Sequence, residues 1–313
     1  MIQIFKEKTN FNFTNYFSVT SIASSVLVAG SIYLILSMMN YGVDFRGGAE
    51  VQVKFTESIS VGEARASLEK SGFEGVTVQR IGDESENEIL VKLLAKAGDL
   101  NKVESKLEST LTTKFGAKNV DIRKVDIVGP KAGAELRFSG FQAMVYALIA
   151  IMIYIGLRFD FKYAPGAIFA LFHDVSIILG IFALTGTEFT LQTVAALLAV
   201  IGYSVNDTVI VYDRVRENEE KFVGSTLSDN INRAVNDTLS RTILTSGTTL
   251  FVSGAMFIYG GEAIHSFFFA ITLGVLIGTY SSIFVAAPVT LLFDKFFGDG
   301  TESETNQRAM SSH

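Results

Sequence analysis

Six apolar blocks dominate this 313-residue sequence, and each is long enough to cross a lipid bilayer as a helix. Every block runs for 17 or more positions with few or no charged residues, a pattern typical of membrane spans. The predicted spans cover residues 16–39, 139–157, 165–187, 191–212, 242–259 and 263–293. The first block exceeds a signal-peptide core in length, so we interpret it as a retained anchor. The sequence therefore predicts a polytopic α-helical membrane protein.

Charged residues lie mainly between these blocks, and this limits the classes of function that the sequence supports. The chain is 49% hydrophobic, carries a net charge of −6 and contains no Cys. No basic face accumulates, so we expect no nucleic-acid partner. There is no GxxxxGK[ST] loop, no HExxH or GxSxG motif and no Cys/His cluster. We therefore predict no bound cofactor or metal and no enzymatic activity.

Basic residues predict which segments face the cytoplasm, because Lys and Arg concentrate in short cytoplasmic loops. They precede the first predicted span, follow the second, fill the segment after the fourth and follow the last: Lys6, Lys8, Arg158, Lys162, Arg214, Arg216, Lys221, Arg233, Arg241 and Lys295. We therefore predict a cytoplasmic N-terminus and first span over 1–39, spans two to six over 139–297 with a cytoplasmic loop at 213–241, and a cytoplasmic tail at 298–313.

The segment 40–138 then lies on the outer side of the membrane, which in a bacterium is the periplasmic side, and its sequence patterns predict a folded domain. Alternating apolar residues in AEVQVKF indicate a half-buried strand. Ser60 and Glu63 have the spacing of a capping box at the start of a helix. Two further strand patterns, an amphipathic helix and a last strand follow. The order βαββαβ is that of a ferredoxin-like α+β domain.

Two patterns bear on packing within the membrane. The last span repeats a small residue every fourth position: Ala270, Gly274, Gly278, Ser282 and Ala286. Such a stripe lets another helix approach closely, and we favour intrachain packing over an intersubunit contact. Within the predicted loop 213–241, apolar residues at helical spacing suggest a short interfacial helix that turns one face to the membrane: Leu227, Ile231, Ala234, Val235 and Leu239.

Asp207 lies within the fourth apolar block, at a depth where an ionised carboxylate is costly and usually functional. We predict Arg241, at the start of the fifth span, as its partner, because the long Arg side chain can extend along the helix. An Asp and an Arg placed together in this way form a switchable proton site. A static ion pair that only sets helix register is the structural alternative. Neighbouring polar residues form a possible relay: Ser204, Asn206, Thr245 and Thr249.

His173 and Asp174 are the other ionisable residues deep in a span. As sequence neighbours they project about 100° apart on a helix, so we expect that they do not face one common partner. We favour a structural role for His173 and leave Asp174 open between a structural and a relay role. Asp174 and Asp207 together also suggest an intramembrane aspartyl protease, although an Arg beside one carboxylate argues against a shared-proton dyad.

Several stretches resemble the SecD/SecF family of protein-export membrane proteins. YGVDFRGGAE is similar to the family's DFxGG signature, and GYSVNDTVIVYDRVREN with SRTILTSGTTL is similar to its fourth and fifth spans. Supporting stretches are VGPKAGAELR, RFDFKYA and ALFHDV. The compact outer domain and the VNDT spelling favour the SecF branch of the family.

The resemblance implies a half-unit of the resistance-nodulation-division superfamily in the bacterial cytoplasmic membrane, with SecD as the other half. It also implies that the protein acts together with the SecYEG channel and SecA, and that proton flow drives movement of the preprotein across the membrane. Membrane lipid would be a further partner. Asp207 and Arg241 would be the coupling residues, and Asp44, Gly47 and Gly48 would join the first span to the outer domain. A half-size exporter of the same superfamily and a pure assembly scaffold are the remaining alternatives, and the coupling ion is H⁺ or Na⁺.

Overall fold

The computed structural model describes residues 9–82, 86–94 and 100–297. Lys6, Lys8 and the predicted tail 298–313 lie outside the described residues. In chain order the elements are α1 (Phe17–Met38), α2 (Val43–Arg46), β1 (Gly48–Phe55), α3 (Val61–Lys70), β2 (Glu74–Ile81), β3 (Glu88–Leu94), α4 (Leu100–Phe115), β4 (Val120–Val128), α5 (Pro130–Arg158), α6 (Ala164–Thr185), α7 (Leu191–Lys221), α8 (Leu227–Tyr259), α9 (Glu262–Ser281) and α10 (Ala287–Phe297).

The sheet domain comprises the four strands with α3 and α4. Its strand order is β2-β3-β1-β4, and every neighbouring pair is antiparallel. This is the split βαβ arrangement, so the predicted ferredoxin-like order is confirmed. Val51, Val53 and Phe55 point from β1 into a core that Leu68 of α3 and Leu107 of α4 complete. The opposite face of the sheet carries polar residues and turns toward the membrane helices.

One local detail of the predicted domain is wrong. Ser60 occupies the N-cap position of α3, but its side chain makes no capping hydrogen bond. The first turn closes through the backbone, where the Ala64 N–H donates to the Ser60 carbonyl at 3.1 Å. The helix itself is confirmed, and Gly72 follows its end with a φ of +81°, a conformation that favours glycine.

All six predicted spans are confirmed as helices long and apolar enough to cross a membrane. α6, α7 and the α9–α10 unit form the centre of the bundle, whereas α1, α5 and α8 expose most of their apolar side chains. α5 begins at Pro130, directly after β4, so residues 130–138, which we predicted as part of the outer domain, belong to this helix. The sequence prediction started the span too late because the beginning of α5 carries charged residues, which lower the local hydropathy. Such residues can still be helical, and Pro130 is at a position that favours the start of a helix.

The predicted loop at 213–241 is wrong. α7 continues to Lys221 and α8 begins at Leu227, which leaves a short connection of residues 222–226. Ion pairs stabilise these extensions: the Arg214 guanidinium contacts Glu217 one turn away and Asp237 of α8 at 2.7 Å. Thr226 accepts a hydrogen bond from the Asp229 N–H at 3.1 Å and so caps α8. The fall in hydropathy marks a change of environment and not the end of a helix.

The predicted membrane-facing interfacial helix is also wrong. Ile231, Ala234 and Val235 lie on the first part of α8 and are buried in a core cluster with Tyr212 and Val215 of α7. The apolar periodicity was therefore that of one face of a longer helix packed against its neighbour within the chain.

The last span is not one continuous α-helix. A π-helical segment, Ser282–Ala286, separates α9 from α10 just before Pro288. Proline lacks a backbone N–H, and its ring crowds the carbonyl four residues earlier, which in this chain is Phe284. A π-helical turn is a common way to accommodate such an interruption.

Candidate functional site

The buried face of α7 carries the central carboxylate of the candidate site. Ser204, Asp207, Thr208 and Val211 are all buried on this face, and the Asp207 residue is only 1% exposed. Asp207 follows the first residue of α7 by sixteen positions, a distance of about 24 Å at helical rise. No Lys or Arg lies between Leu191 and Asp213 on the same helix, so the carboxylate has no cation on its own part of α7.

Ser246 of α8 is the side chain that binds Asp207. Its Oγ donates to Asp207 Oδ2 at 3.5 Å, at the long limit of a hydrogen bond. Ser246 also shares a hydrogen bond with Thr279 of α9 at 2.7 Å and accepts one from the Tyr203 hydroxyl at 3.3 Å. The carboxylate is therefore buried and only weakly satisfied within the described part of the chain, which leaves it sensitive to a change of charge nearby.

The predicted Asp207–Arg241 pair is close but not in contact. Among the described residues, no ion pair within 4.0 Å joins the two, although the Arg241 charge acts on Asp207 electrostatically. Arg241 is exposed and lines a cavity of about 430 Å³ with Arg158, Asp213 and Arg214, at the end of the bundle where α7 and α8 become charged. A side-chain movement of Arg241 would be needed to form the contact.

Two predicted relay residues turn away from Asp207. The Thr245 hydroxyl donates to the Arg241 carbonyl at 3.0 Å, and the Thr249 hydroxyl donates to the Thr245 carbonyl at 2.9 Å, so both bind their own helix. The polar residues of α8 that pack against the bundle are shifted by one position from the predicted ones, because Thr242, Ser246 and Ser253 are the buried residues. Sequence reasoning missed Ser246, which the helical spacing from Thr242 could have found.

Ser204 binds Asp174 and not Asp207. Its Oγ donates to Asp174 Oδ2 at 2.6 Å, and Ser281 of α9 donates to the same oxygen at 2.8 Å. Ser204 lies three residues before Asp207, about one turn of α7. The same helix therefore carries Asp207 and a side chain that binds Asp174. Asp174 is therefore part of the same polar seam, although no hydrogen bond joins the two carboxylates in the described residues.

His173 and Asp174 contact each other directly, contrary to our expectation that they diverge. His173 Nδ1 lies 2.9 Å from Asp174 Oδ1, and both side chains are buried on α6. The 100° separation of neighbouring side chains holds at the Cβ atoms, but the two longer side chains converge beyond them. The remaining relay candidate, Asn206, is exposed on the outer face of α7.

The small-residue stripe of the last span packs against α7, which confirms the intrachain interpretation. A Cβ on Gly274 would lie 2.3 Å from a methyl group of Val200, and one on Gly278 would lie 3.1 Å from Ser204. One rung further, Ser282 shares a hydrogen bond of 3.1 Å with Thr208. These contacts, one turn apart along the helix, hold the Asp207 face of α7 close to α9 and the π-helical segment that follows it.

The DFRGG segment lies where α2, β1, α5 and α7 meet. Asp44 Oδ2 accepts a hydrogen bond of 3.0 Å from the Leu191 N–H at the start of α7. Gly47 has a φ of +82°, and a Cβ on it would lie 2.7 Å from Pro130 of α5. A Cβ on Gly48 would lie 2.2 Å from the Leu93 carbonyl of β3. Glycines are required here because neighbouring backbones approach too closely for a side chain.

A family model for the C-terminal part of the protein export membrane proteins SecD/SecF matches residues 107–295, and a second, for the SecD/SecF GG motif, matches residues 39–59. The chain belongs to the SecD/SecF family. The GG motif of this family coincides with the DFRGG junction, and the family region includes both buried carboxylates.

Relatives and solved structures agree with this family assignment. Protein translocase subunit SecF of Rickettsia rickettsii (strain Sheila Smith) is 38% identical over 93% of this chain and 94% of its own length. SecF of Rickettsia bellii (strain OSU 85-389) is 39% identical over 93% and 96%. The crystal structure of SecDF from Thermus thermophilus superposes with a TM-score of 0.80 at 32% identity, covering 93% of this chain and 40% of that one. SecDF in its super-membrane-facing form gives a TM-score of 0.72, also at 32% identity, with 96% and 41% coverage. This chain thus spans about two fifths of the SecDF chains.

These findings disfavour the alternative functions. The family's relatives are named as translocase subunits, which favours neither a drug exporter nor a protease. The geometry also differs from that of an aspartyl protease. Asp174 is engaged by Ser204, Ser281 and His173 and does not share a hydrogen bond with Asp207 in the described residues.

Proposed function

We propose that this chain is the SecF-type accessory subunit of a protein translocase and that protonation of Asp207 couples a proton gradient to protein export. The observation that carries the proposal is the state of Asp207, a buried carboxylate with one long hydrogen bond and a nearby Arg241 that forms no ion pair with it among the described residues. Such a carboxylate is unstable when ionised unless a cation joins it. Protonation of Asp207 and an ion pair between Asp207 and Arg241 are therefore two alternative ways of stabilising the buried carboxyl group.

The two alternatives define the coupling step. When Asp207 is ionised, attraction draws the Arg241 side chain from the charged cavity toward the carboxylate. When Asp207 takes up a proton, the attraction is lost and Arg241 returns to the cavity. The arrangement described above, without an ion pair, corresponds to the second state. Because α7 and α8 carry the two residues, each protonation cycle changes how these helices pack.

The DFRGG junction supports a path from Asp207 to the sheet domain. α7 is continuous from Leu191 to Lys221, and Asp44 binds its first N–H. Lys92 of β3 also contacts Glu188, in the connection before α7, at 2.8 Å. A displacement of α7 along its axis would therefore move the sheet domain through two contacts, a hydrogen bond and an ion pair.

The partners follow from the same proposal. SecD would supply the part of the SecDF chain that this chain does not span, and the pair would act with SecYEG and SecA on a translocating preprotein. The bacterial relatives support a location in the bacterial cytoplasmic membrane. The Lys and Arg distribution supports an orientation with both termini and the charged ends of α7 and α8 in the cytoplasm. The sheet domain would then lie outside, where the preprotein emerges.

The test uses the complex with SecD and SecYEG in proteoliposomes, with translocation stalled part-way and ATP removed. We expect a proton gradient to complete translocation with the wild-type chain and not with Asp207→Asn. Glu220→Gln is the matched control, because Glu220 is an acidic residue of the same helix with an exposed side chain and does not line the cavity that holds Arg241. Completion by the Asp207→Asn complex at the wild-type rate would refute the proposal.

A further inference from the structure

The His173–Asp174 dyad is a second buried ionisable group that the proposed coupling step does not use. The two residues are 3% and 1% exposed, near the middle of α6. His173 Nδ1 and Asp174 Oδ1 are 2.9 Å apart, and Asp174 Oδ2 accepts hydrogen bonds from Ser204 and Ser281. Nε2 of His173 is buried and has no hydrogen-bond partner among the described residues.

The hydrogen-bond pattern assigns the protons of the dyad. Two hydroxyl groups donate to Asp174 Oδ2, a pattern that favours the ionised carboxylate. An ionised carboxylate only accepts hydrogen bonds, so the Nδ1–H of His173 donates to Oδ1. Nε2 then carries a lone pair and no proton. In this state the dyad holds one proton and a net charge of −1.

Among the described residues, no Lys or Arg forms an ion pair with the dyad. No Lys or Arg occurs between Ala164 and Thr185 on α6, between Phe17 and Met38 on α1, or between Ala263 and Ala287 on the last span. Tyr280 of α9 is a titratable group in contact with the dyad, because its ring stacks on His173 with 5.9 Å between the ring centroids. Asp207 lies one turn of α7 beyond Ser204, which binds Asp174, and makes no hydrogen bond to the dyad among the described residues. α1 contributes Ser24, which shares a hydrogen bond of 3.0 Å with the Tyr280 hydroxyl. An uncompensated negative charge in this setting favours proton uptake.

We propose that the His173–Asp174 dyad is a second proton-binding site, independent of Asp207, in which the exchanged proton resides on Nε2 of His173. Adding a proton neutralises the dyad, either as imidazolium with carboxylate or as neutral imidazole with carboxylic acid. Both arrangements place the added proton on Nε2. In the first no other bond changes, and in the second the Nδ1–H bond breaks and an O–H bond forms on Asp174 Oδ1. The proposal adds to the proposed function and does not depend on it.

The test is the ¹⁵N spectrum of the full chain, labelled at histidine, in lipid nanodiscs. The sequence contains three His residues, His173, His265 and His313, so His265→Gln and His313→Gln assign the other two signals without any change at the dyad. At about pH 8 we expect His173 as the neutral tautomer with its proton on Nδ1. On titration to about pH 5, we expect a single protonation step at Nε2.

Variants separate a proton-binding dyad from a merely structural hydrogen bond. In Asp174→Asn we expect the Nε2 protonation step to be lost between about pH 5 and pH 8, because the amide cannot balance the imidazolium charge. Ser281→Ala is the control, because it removes one hydrogen bond to Asp174 but keeps the carboxylate, so the step should remain. Asp207→Asn should also leave the step in place, which distinguishes failure of this proposal from failure of the coupling proposal. A His173 signal that stays in one form throughout, or an Asp174→Asn chain that titrates like the wild type, would overturn it.

Discussion

Asp44 Oδ2 accepts a hydrogen bond of 3.0 Å from the Leu191 N–H, and this contact joins the DFRGG segment to the first residue of the helix that carries Asp207. A carboxylate at this position satisfies a backbone N–H that the helix itself leaves without a partner. It also lies at the positive end of the helix dipole. The same short segment contacts β3 through Gly48 and α5 through Gly47. The DFRGG segment thus connects the sheet domain to the central helix.

Replacement of Asp44 should weaken this connection. We expect Asp44→Ala to lower the free energy of unfolding by about 0.5–2 kcal/mol, the usual cost of losing a side chain that caps a helix. Proton-driven completion of translocation should fall by more than this stability change explains, because the path from α7 to the sheet domain is lost. Asp126→Ala is the control, since Asp126 is an acidic residue of β4 that lines, together with Asp44, a cavity of about 1010 Å³ between the sheet and the membrane helices. Equal transport by the two variants would contradict the path.

Ser246→Ala should impair coupling while Thr245→Ala does not. Ser246 is the residue that donates to Asp207, whereas the adjacent Thr245 hydroxyl binds its own helix. Losing one hydrogen bond of about 1 kcal/mol corresponds to a change of roughly fivefold, so we expect proton-driven transport to fall by about that factor in Ser246→Ala. The measurement is the transport rate in proteoliposomes with SecD. The reverse ranking of the two variants would mean that the polar face of α8 is misassigned.

Close packing of the last span on α7 predicts a strong effect of one added methyl group. A Cβ on Gly274 would lie 2.3 Å from a Val200 methyl, so Gly274→Ala should cost about 1–3 kcal/mol through overpacking and lower the thermal unfolding midpoint in nanodiscs. Gly30→Ala on α1 is the matched control, because no atom lies within 4 Å of its added Cβ. There we expect an unchanged or slightly raised midpoint. Similar midpoints in both variants would argue against a packed α7–α9 seam.

Glu50 of β1 predicts a pH dependence of stability in the sheet domain. Burial raises the pKa of its carboxyl above the ordinary value of 4.5, with further increases from Asp44, Asp126 and Glu188, while Lys92 opposes them. The folded state therefore binds more protons than the unfolded state at this site, so ionised Glu50 destabilises the fold as the pH rises above about 4.5.

We expect Glu50→Gln to raise the unfolding midpoint at neutral pH and to match the wild type near pH 4, where Glu50 is protonated in both states. Glu57→Gln, at an exposed residue of the same domain, serves as the control and should follow the wild type at every pH. A Glu50→Gln chain that is less stable at neutral pH would show that pairing with Lys92 outweighs burial.

Hydropathy and alternation in the sequence were sufficient for the six spans and the sheet domain, and the resemblance of stretches such as YGVDFRGGAE was sufficient for the family. They were insufficient for helix ends. The charged residues from Asp213 to Lys221 indicated a loop, yet they continue α7, because ion pairs such as those of Arg214 stabilise a helix outside the apolar layer. Hydropathy reports the thickness of that layer, which a helix can exceed.

Helical periodicity also placed Asp207 correctly on a buried face but assigned it wrong neighbours. Successive side chains along a helix are rotated by about 100°. A prediction that is wrong by one position therefore names Thr245 where Ser246 is the residue that contacts Asp207. The partner of Ser204 depends on how α6 stands beside α7, which no local pattern contains. The His173–Asp174 contact depends on rotamers that bring adjacent side chains together.

The amino-acid sequence alone determined that this protein spans a membrane six times, carries a ferredoxin-like domain and belongs to the SecD/SecF family, because these properties follow from residue order and composition. Only the tertiary structure decided that Asp207 is weakly bound by Ser246, that Arg241 forms no contact with it, and that Asp174 has hydrogen-bond partners on three helices. Those relationships depend on the rotation and spacing of packed helices. The side chains of all helices pack together in one interior, so the sequence of a single helix does not specify how that helix is rotated and spaced against its neighbours.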